Sequence, residues 1–400
     1  MNADSILVYS TVWCSDCKRA KKFFGEHRIP YTNIDIEQDA EAMAFVERVN
    51  QGKRIIPTIV FQDGSILVEP SNAQLATKLG LRTRAERQFY DCIIIGSGPA
   101  GLTAAFYLAR EGVETLVIEK SGLGGQPGTT QLMDNIPGFD EGISGHEFAE
   151  RLARQAKRFG AEILEAQEVT EINREDNYLC TTVGDGATSE KMSYGSTAVL
   201  LASGARYRRL HVPGEEELIG VNIHFCATCD GAFYKGKNVL VVGGGNSGFE
   251  EGLFLTRFAR QVDIVDHNPQ AKASLILQQK VSEKTNMTVL LGYEVREFLV
   301  KNHRLDGIIA ENLRTGERKT WQYDGVFLFI GLTPNSDLLR TKAALDEYGF
   351  VVTDRSMMSS MRGVFAAGDV RAGSTKQAAS AAGEGATAAL MIRQYLKEAG

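Results

Sequence analysis

The chain lacks the features that would mark it as a metal protein, a membrane protein or a nucleic-acid binder. It has only six histidines, and none shows the spacing of metal ligands. Acidic residues outnumber basic ones, 50 to 44, for a formal net charge of −6. Such a surface has no general attraction for nucleic acid or anionic lipid, so neither is expected as a partner. No apolar run approaches the ~20 residues of a membrane-spanning helix, and residues 1–10 lack the basic start and apolar stretch of a secretory signal. A cytoplasmic setting is expected. Cysteine is scarce too, at six residues, and in that setting its spacing points to chemistry instead of a structural disulfide framework.

What is present is more informative. Four hundred residues suit two or three domains, and 43% apolar residues can fill their cores. The 41 glycines fit several loops in which backbone approaches phosphate. Four of the six cysteines form two Cys-x-x-Cys pairs, Cys14/Cys17 and Cys226/Cys229. A four-cysteine zinc site would need both pairs at one tetrahedral centre, yet they lie far apart in differently patterned segments, so no metal is expected. Cys92 sits in an apolar strand and reads as an inert core thiol, and Cys180 has no partner signal.

Residues 5–9 read as a buried strand running straight into Trp13-Cys14-Ser15-Asp16-Cys17, with Phe23 and Phe24 on the apolar face of the helix that follows. Strands at 31–36 and 58–61, a helix at 40–49, an Asp63-Gly64 turn into 66–68, and a helix capped by Ser71 and Gln74 complete the segment. The order β-α-β-α-β-β-α is that of the thioredoxin fold. A strand-to-helix junction places Cys14 at a helix N-terminus, where free N–H groups and the dipole favour a thiolate. Pro57, just ahead of a strand, can take a cis bond that turns backbone groups toward the sulfurs.

After a short charged linker at 83–89, the composition changes. Strand 91–95 runs into Gly96-Ser97-Gly98-Pro99-Ala100-Gly101 and a helix, and strand 115–118 ends on Glu119. Sliding this unit 147 positions along the chain superposes Gly96 on Gly243, Gly101 on Gly248 and Glu119 on Asp266. One G-x-G-x-x-G is weak evidence. Two, each between strand and helix and each closed by an acid at the next strand, indicate two dinucleotide sites. In such a site the glycines let backbone approach a pyrophosphate at the helix N-terminus, and the acid takes ribose hydroxyls. FAD and a nicotinamide nucleotide are the simplest pair.

Residues 4–80 resemble a glutaredoxin of the mycoredoxin-like branch, on Trp13–Cys17, Pro57 and the element order. The resemblance implies that Cys14 attacks, Cys17 resolves the mixed disulfide, and Pro57 helps position the substrate. The Gly-Gly and acidic residues with which glutaredoxins grip glutathione are replaced by Val68-Glu69-Pro70-Ser71-Asn72. Residues 90–400 resemble low-molecular-weight thioredoxin reductases. The motifs are Gly96–Gly101, Gly124-Gly125-Gln126, Asn135 before Ile136-Pro137-Gly138, Ala202–Ala205, Cys226-Ala227-Thr228-Cys229-Asp230-Gly231, Gly243–Gly248, Gly368-Asp369-Val370 and Gln377-Ala378.

This second resemblance implies an α/β architecture: an N-terminal thioredoxin fold (1–82) and two Rossmann-like domains of the thioredoxin reductase type. The FAD-binding domain would be discontinuous, 90–205 and 330–400, and the NAD(P)-binding domain, 206–329, would carry the second cysteine pair. FAD would be held by Gly96, Gly98, Pro99, Ala100, Gly101, Glu119, Gly124, Gly125, Gln126, Asn135, Gly368, Asp369, Gln377 and Ala378. The nucleotide would be held by Gly243, Gly245, Asn246, Ser247, Gly248, Asp266 and His267. Cys229 would face the flavin and Cys226 would attack the outgoing disulfide. Asp230 is open to two readings, a proton donor–acceptor for the thiols or a helix cap. Family members are homodimers. NADPH-specific members end the second strand in His-Arg-Arg with a further Arg beyond, whereas here those positions read Asp266, His267, Asn268 and Lys272, which favours NADH. Lys376 precedes Gln377 where Arg is usual.

The function expected from these readings is an NAD(P)H-dependent disulfide reductase. Electrons would run from nicotinamide through FAD and Cys226/Cys229 to Cys14/Cys17, and on to a thioredoxin- or glutaredoxin-type protein, a peroxiredoxin or a small disulfide. Potentials typical of such dithiols make the last internal step downhill by about 2–3 kcal/mol. Two alternatives are a donor to a peroxiredoxin, of the alkyl hydroperoxide reductase type, and a ferredoxin-fed or redox-sensing flavoprotein that makes no use of free nicotinamide.

Overall fold

The computed structural model describes residues 6–399 apart from 12, 28, 130–132, 134 and 185–190. Its N-terminal part runs β1 (Ile6–Ser10), α1 (Ser15–Glu26), β2 (Tyr31–Asp35), α2 (Ala40–Val49), β3 (Thr58–Val60), β4 (Ile66–Val68) and α3 (Asn72–Lys78). The sheet order is β2-β1-β3-β4, with β1 and β2 parallel and the other pairs antiparallel. Alternation along β1 and the apolar face of α1 bury Val8, Ala20, Phe23 and Phe24 with Ile59 and Leu75 in one core. Ser71 and Gln74 close both bonds of a capping box at the start of α3.

The next elements are β5 (Phe89–Ile95), α4 (Pro99–Arg110), β6 (Thr115–Ile118), α5 (Gly145–Arg158), β7 (Glu162–Leu164), β8 (Glu168–Arg174), β9 (Leu179–Gly184) and β10 (Met192–Leu201). Strand order is β7-β6-β5-β10-β9-β8. The β7-β6-β5-β10 half is parallel, and the end of β5, Cys92–Ile95, is apolar throughout because both faces are covered: Cys92 and Ile94 pack with residues of α4 and α5, Ile93 and Ile95 with residues of β8 and β9. Cys92 is fully buried there, and burial drives its thiol pKa far up, leaving it inert.

A second set of elements begins with β11 (Ala205–Tyr207), α6 (Glu215–Leu218), β12 (Ile223–His224), α7 (Ala227–Asp230), β13 (Asn238–Val242), α8 (Asn246–Leu255), β14 (Gln261–Asp266), α9 (Leu275–Ser282) and β15 (Met287–Leu291). It continues with β16 (Tyr293–Lys301), β17 (Arg304–Asn312), β18 (Arg318–Trp321), β19 (Gly325–Leu328) and β20 (Leu332–Pro334). Here a parallel sheet in the order β12-β19-β13-β14-β15 carries an antiparallel β16-β17-β18 sheet beside it. The chain then returns to the first sheet, where β21 (Val364–Ala366) pairs with β10, and ends in α10 (Ala378–Ala399).

The chain divides into two compact units, one of residues 1–132, 143–204 and 334–400, the other of 133–142 and 205–333. Within the first unit the segment between α3 and β5 is not a free tether. Ala85 N–H donates to Tyr194 Oη and Glu86 N–H to Glu162, whose carboxylate also accepts the Tyr90 hydroxyl and pairs with Arg82. Glu165 N–H donates to Arg82 O, and Ala166 packs into the N-terminal core.

Candidate functional site

Cys14 is the N-cap of α1. Its Sγ accepts the Cys17 backbone N–H at 3.1 Å and donates to Ile56 O at 3.7 Å, and the Ile56–Pro57 peptide is cis. Both cysteines are free thiols. They differ in setting: Cys17 is fully buried, and burial together with the Cys14 sulfur pushes its pKa up to about 12. The pair is thus asymmetric: Cys14 caps the N-terminus of α1, while the Cys17 thiol holds its proton. Trp13 lies exposed beside them, its Nε1–H bonded to Glu37.

In the first parallel sheet the chain leaves β5 for β6 on one side, while β10 pairs on the other. This reversal opens a crevice at the strand's C-terminal end. Gly96 occupies it with φ +101°, and a side chain there or at Gly101 would collide with Ala202 O or Gly96 O respectively. Gly98 begins α4 without a side-chain cap, leaving N–H groups free for an anion. Glu119, at the tip of β6, accepts Ser97 N–H and Oγ–H, both at 2.8 Å, and Ser121 N–H. Gly124 N–H donates to Ser97 O, and Gly125 follows with φ +59° against Gly98.

Gly368 packs on Ala100 and donates to Glu384 on α10, a carboxylate also gripped by Arg371. The next residue, Asp369, has a buried Oδ1 with no hydrogen-bond partner among the described residues, and burial pushes its carboxyl pKa upward. Lys376 braces this turn, donating to Asp369 O at 2.8 Å and Arg371 O at 3.2 Å with its ammonium 4.0 Å over Phe350. Gln377 and Ala378 then open α10, with Gln377 O accepting from Ala381 N–H. A buried carboxylate oxygen awaiting a donor, glycines forming a cradle and an uncapped helix fit a ribityl hydroxyl and a pyrophosphate, as FAD requires.

In the second unit the same device recurs. Gly243 has φ +129°, Gly248 packs directly on Gly243 O, and Gly245 opens α8 uncapped, with Asn246 Oδ1 accepting Ser274 N–H. Asp266 Oδ2 accepts Gly244 N–H, as Glu119 does from Ser97. Its Oδ1 takes Asn268 N–H at 2.7 Å and Asn268 Nδ2–H at 2.6 Å. Burial alone would raise the Asp266 pKa, but these bonds and His267 hold it below its ordinary value. His267 itself is largely exposed.

Cys226 is disulfide-bonded and leads into the short helix α7. The side chain of Cys229 lies outside the described residues. Asp230 N–H bonds to Cys226 O, and the Asp230 side chain makes no capping bond to the turn that follows. Its carboxylate instead lies 3.4 Å from His224 Nδ1, and His224 Nε2 is 2.7 Å from Tyr234 Oη. No spacing rule picks out His224 or Tyr234 in the sequence. Glu251 on α8, a buried carboxyl whose pKa is raised by burial and by Glu250, accepts the Ala227 N–H. No group of three or more His, Cys, Asp or Glu able to hold a metal occurs among the described residues, and no helix there is long and apolar enough to cross a membrane.

Two switch-point crevices of the Rossmann type, together with a redox disulfide, define a nucleotide-linked disulfide oxidoreductase. Comparison with known proteins makes this specific. Residues 90–385 match the family described as pyridine nucleotide-disulphide oxidoreductase, and residues 6–66 match glutaredoxin. The thioredoxin reductase of Bacillus subtilis (strain 168) is 38% identical over 314 residues, spanning 78% of this chain and 97% of that protein. That of Mycolicibacterium smegmatis is 40% identical over 310 residues, 77% of this chain and 97% of the relative. The solved thioredoxin reductase of Streptococcus pyogenes MGAS5005, 36% identical, superposes with a TM-score of 0.71 over 78% of this chain and 99% of its own. The chain belongs to the pyridine nucleotide-disulphide oxidoreductase family, as a thioredoxin reductase-like disulfide oxidoreductase with an N-terminal glutaredoxin domain.

Proposed function

We propose that the chain is an NADH-preferring flavoprotein reductase whose own glutaredoxin domain is the exit for electrons. The observation that carries this reading is the presence, on one chain, of a disulfide at Cys226 and a second, differently tuned thiol pair at Cys14/Cys17. Gly96–Gly101, Glu119, Gly124–Gln126, Asn135, Gly368-Asp369 and Gln377-Ala378 would hold FAD, which when bound takes hydride equivalents from a nicotinamide and passes electron pairs to a disulfide. Gly243–Gly248, Asp266 and His267 would hold the nucleotide, and the second crevice speaks for a nicotinamide donor over a ferredoxin. Cys229 receives the electron pair and Cys226 attacks the Cys14–Cys17 disulfide. The leaving Cys14 or Cys17 thiolate takes up a proton, and Cys229 then displaces the mixed disulfide. The reduced Cys14 attacks the external disulfide and Cys17 resolves it. The family resemblance supports a homodimer.

The test is anaerobic mixing with NADH while flavin absorbance is followed. Cys229→Ser keeps flavin reduction but loses disulfide turnover, because the electrons lose their covalent acceptor. Cys226→Ser also stops turnover while leaving Cys229 free to perturb the flavin spectrum. Substantial dithiol transfer by either variant overturns the assignment.

A further inference from the structure

Two residues ahead of Cys226, His224 ends β12 buried against the rings of Phe327 and Tyr234. Which of its nitrogens carries the proton follows from a chain of bonds that begins at a backbone amide. Leu305 N–H donates to the side chain of Asn222 at 3.1 Å, so that atom is the carbonyl oxygen and the other end of the amide is the donor. The amide nitrogen gives one hydrogen to Asp324 O at 2.9 Å and bonds to the Tyr234 oxygen with the other. The tyrosine, having accepted there, gives its own proton to His224 Nε2. An Nε2 that accepts leaves the proton of the neutral imidazole on Nδ1, which faces Asp230.

Tyr234 is in no position to leave the chain. Its ring lies so close to Gly325 that any side chain there would collide with it. Burial first, and the Asp230 charge second, drive its pKa far above the ordinary value, so it remains a phenol and a donor. Asp324 and Lys237 also lie near the chain, the Lys237 ammonium 5.5 Å over the Tyr234 ring.

We infer that His224 is a positioning residue for Asp230, presenting an Nδ1–H fixed by Asn222 and Tyr234 that orients the carboxylate and stabilises it whenever it has given up a proton. The inference rests on Asp230 being the proton-transfer group of the Cys226/Cys229 pair. In that step Asp230 takes the proton of the Cys226 thiol as Cys226 Sγ bonds to one sulfur of the acceptor disulfide. The acceptor S–S bond breaks, and Asp230 returns the proton to the departing thiolate. Cys229 then displaces the mixed disulfide, so one dithiol and one disulfide become one disulfide and two thiols.

The test uses the full chain with two small disulfides, an aliphatic one (hydroxyethyl disulfide) and an aromatic one (dithionitrobenzoate) whose low-pKa thiolate leaves without a proton. His224→Gln places an amide where Nε2 was, keeping a partner for Tyr234 but offering nothing to Asp230. His224→Asn places an amide nitrogen where Nδ1 was, keeping the donor to Asp230 but abandoning Tyr234. The expected result is a loss of about tenfold or more for His224→Gln on the aliphatic disulfide, the size of one hydrogen bond to a charged group. The loss on the aromatic disulfide is smaller, and His224→Asn is faster than His224→Gln on the aliphatic one. Equal losses in the two variants on both disulfides mean that His224 only packs, and overturn the inference. Asp230→Asn, run alongside, separates the two levels. If it reduces the aliphatic disulfide as fast as the unaltered chain, the role of Asp230 itself is refuted. If it is slow while His224→Gln is not, only the role of His224 falls.

Discussion

The preference for NADH over NADPH can be worked out from Asp266. Its carboxylate is fixed by Gly244 and Asn268, so it can still accept from ribose hydroxyls but cannot turn away from a phosphate placed on the same ribose. Between unit charges 4 Å apart, repulsion is about 1 kcal/mol in water and about 4 kcal/mol at an effective dielectric of 20. With 11% of the Asp266 side chain exposed, the site lies between these limits. His267 and Asn268 also stand where two guanidinium groups would otherwise meet the phosphate, at about 1.5–3 kcal/mol for each missing charge-assisted bond. The missing bonds alone amount to roughly 3–6 kcal/mol, so at least about a hundredfold discrimination is expected. Lys272, whose backbone N–H donates to Gly244 O, brings a cation into the same loop, and its charge would soften the discrimination.

Steady-state kcat/KM for both nucleotides tests this, with Asp266→Ala and a combined Asp266→His, His267→Arg, Asn268→Arg variant alongside. The pH dependence adds a second readout. A carboxyl with a depressed pKa is ionised above its ordinary value, so Asp266 keeps its charge between pH 5.5 and 7.5, while the phosphate takes on its second charge near pH 6. Discrimination should therefore rise through pH 6 and then level off. A wild type that prefers NADPH, or a triple variant that gains nothing with it, refutes the reasoning.

Three further outcomes are expected. With its pKa near 12, Cys17 has a thiolate fraction of about 10⁻⁴ at pH 8, so a brief iodoacetamide pulse on the reduced protein should label Cys14 well before Cys17 by mass spectrometry; comparable rates would contradict the assigned roles. Gly248→Ala drives a methyl into Gly243 O, an overpacking of about 1–3 kcal/mol or more, and should weaken nucleotide binding with flavin content intact, whereas Gly101→Ala should lower flavin content; a reversed pattern in absorbance and KM would reassign the two crevices. A truncation beginning at Arg84 keeps the Ala85 and Glu86 bonds to Tyr194 and Glu162 but loses Arg82, and should retain flavin reduction while losing most activity on the native acceptor; equal activity would make the N-terminal domain a passenger.

Local signals in this sequence translate directly into structure. Helix 40–49 and strands 66–68, 115–118 and 238–242 have the expected bounds, because turn residues and apolar periodicity mark their ends. The expected strand at 5–9 is described as Ile6–Ser10, with Ser5 outside the described residues. The 147-residue offset is mirrored atom for atom, since Glu119 and Asp266 each accept the N–H that follows the first glycine of their motif. Features assembled from distant segments were not legible. His224 acquires a meaning only through Tyr234, Asn222 and Leu305, which no spacing connects. Residues 133–142 group with the second unit although they interrupt the first in sequence. The charged stretch before β5 reads as a tether because its composition is polar, yet its backbone N–H groups are spent on Tyr194, Glu162 and Tyr90.

That docked segment makes the N-terminal domain an inlay more than an appendage. The turn that receives it, residues 165–167, faces two ways: Glu165 N–H binds Arg82 O while Gln167 N–H binds Glu119 O. A graft that exchanged residues 1–82 for another glutaredoxin would therefore leave Glu162 without Arg82 and Ala166 without its apolar neighbours, one bond away from the acid of the first crevice. The transplantable unit includes this receiving turn, and its cut points fall inside the Rossmann sheet, far from where the composition changes.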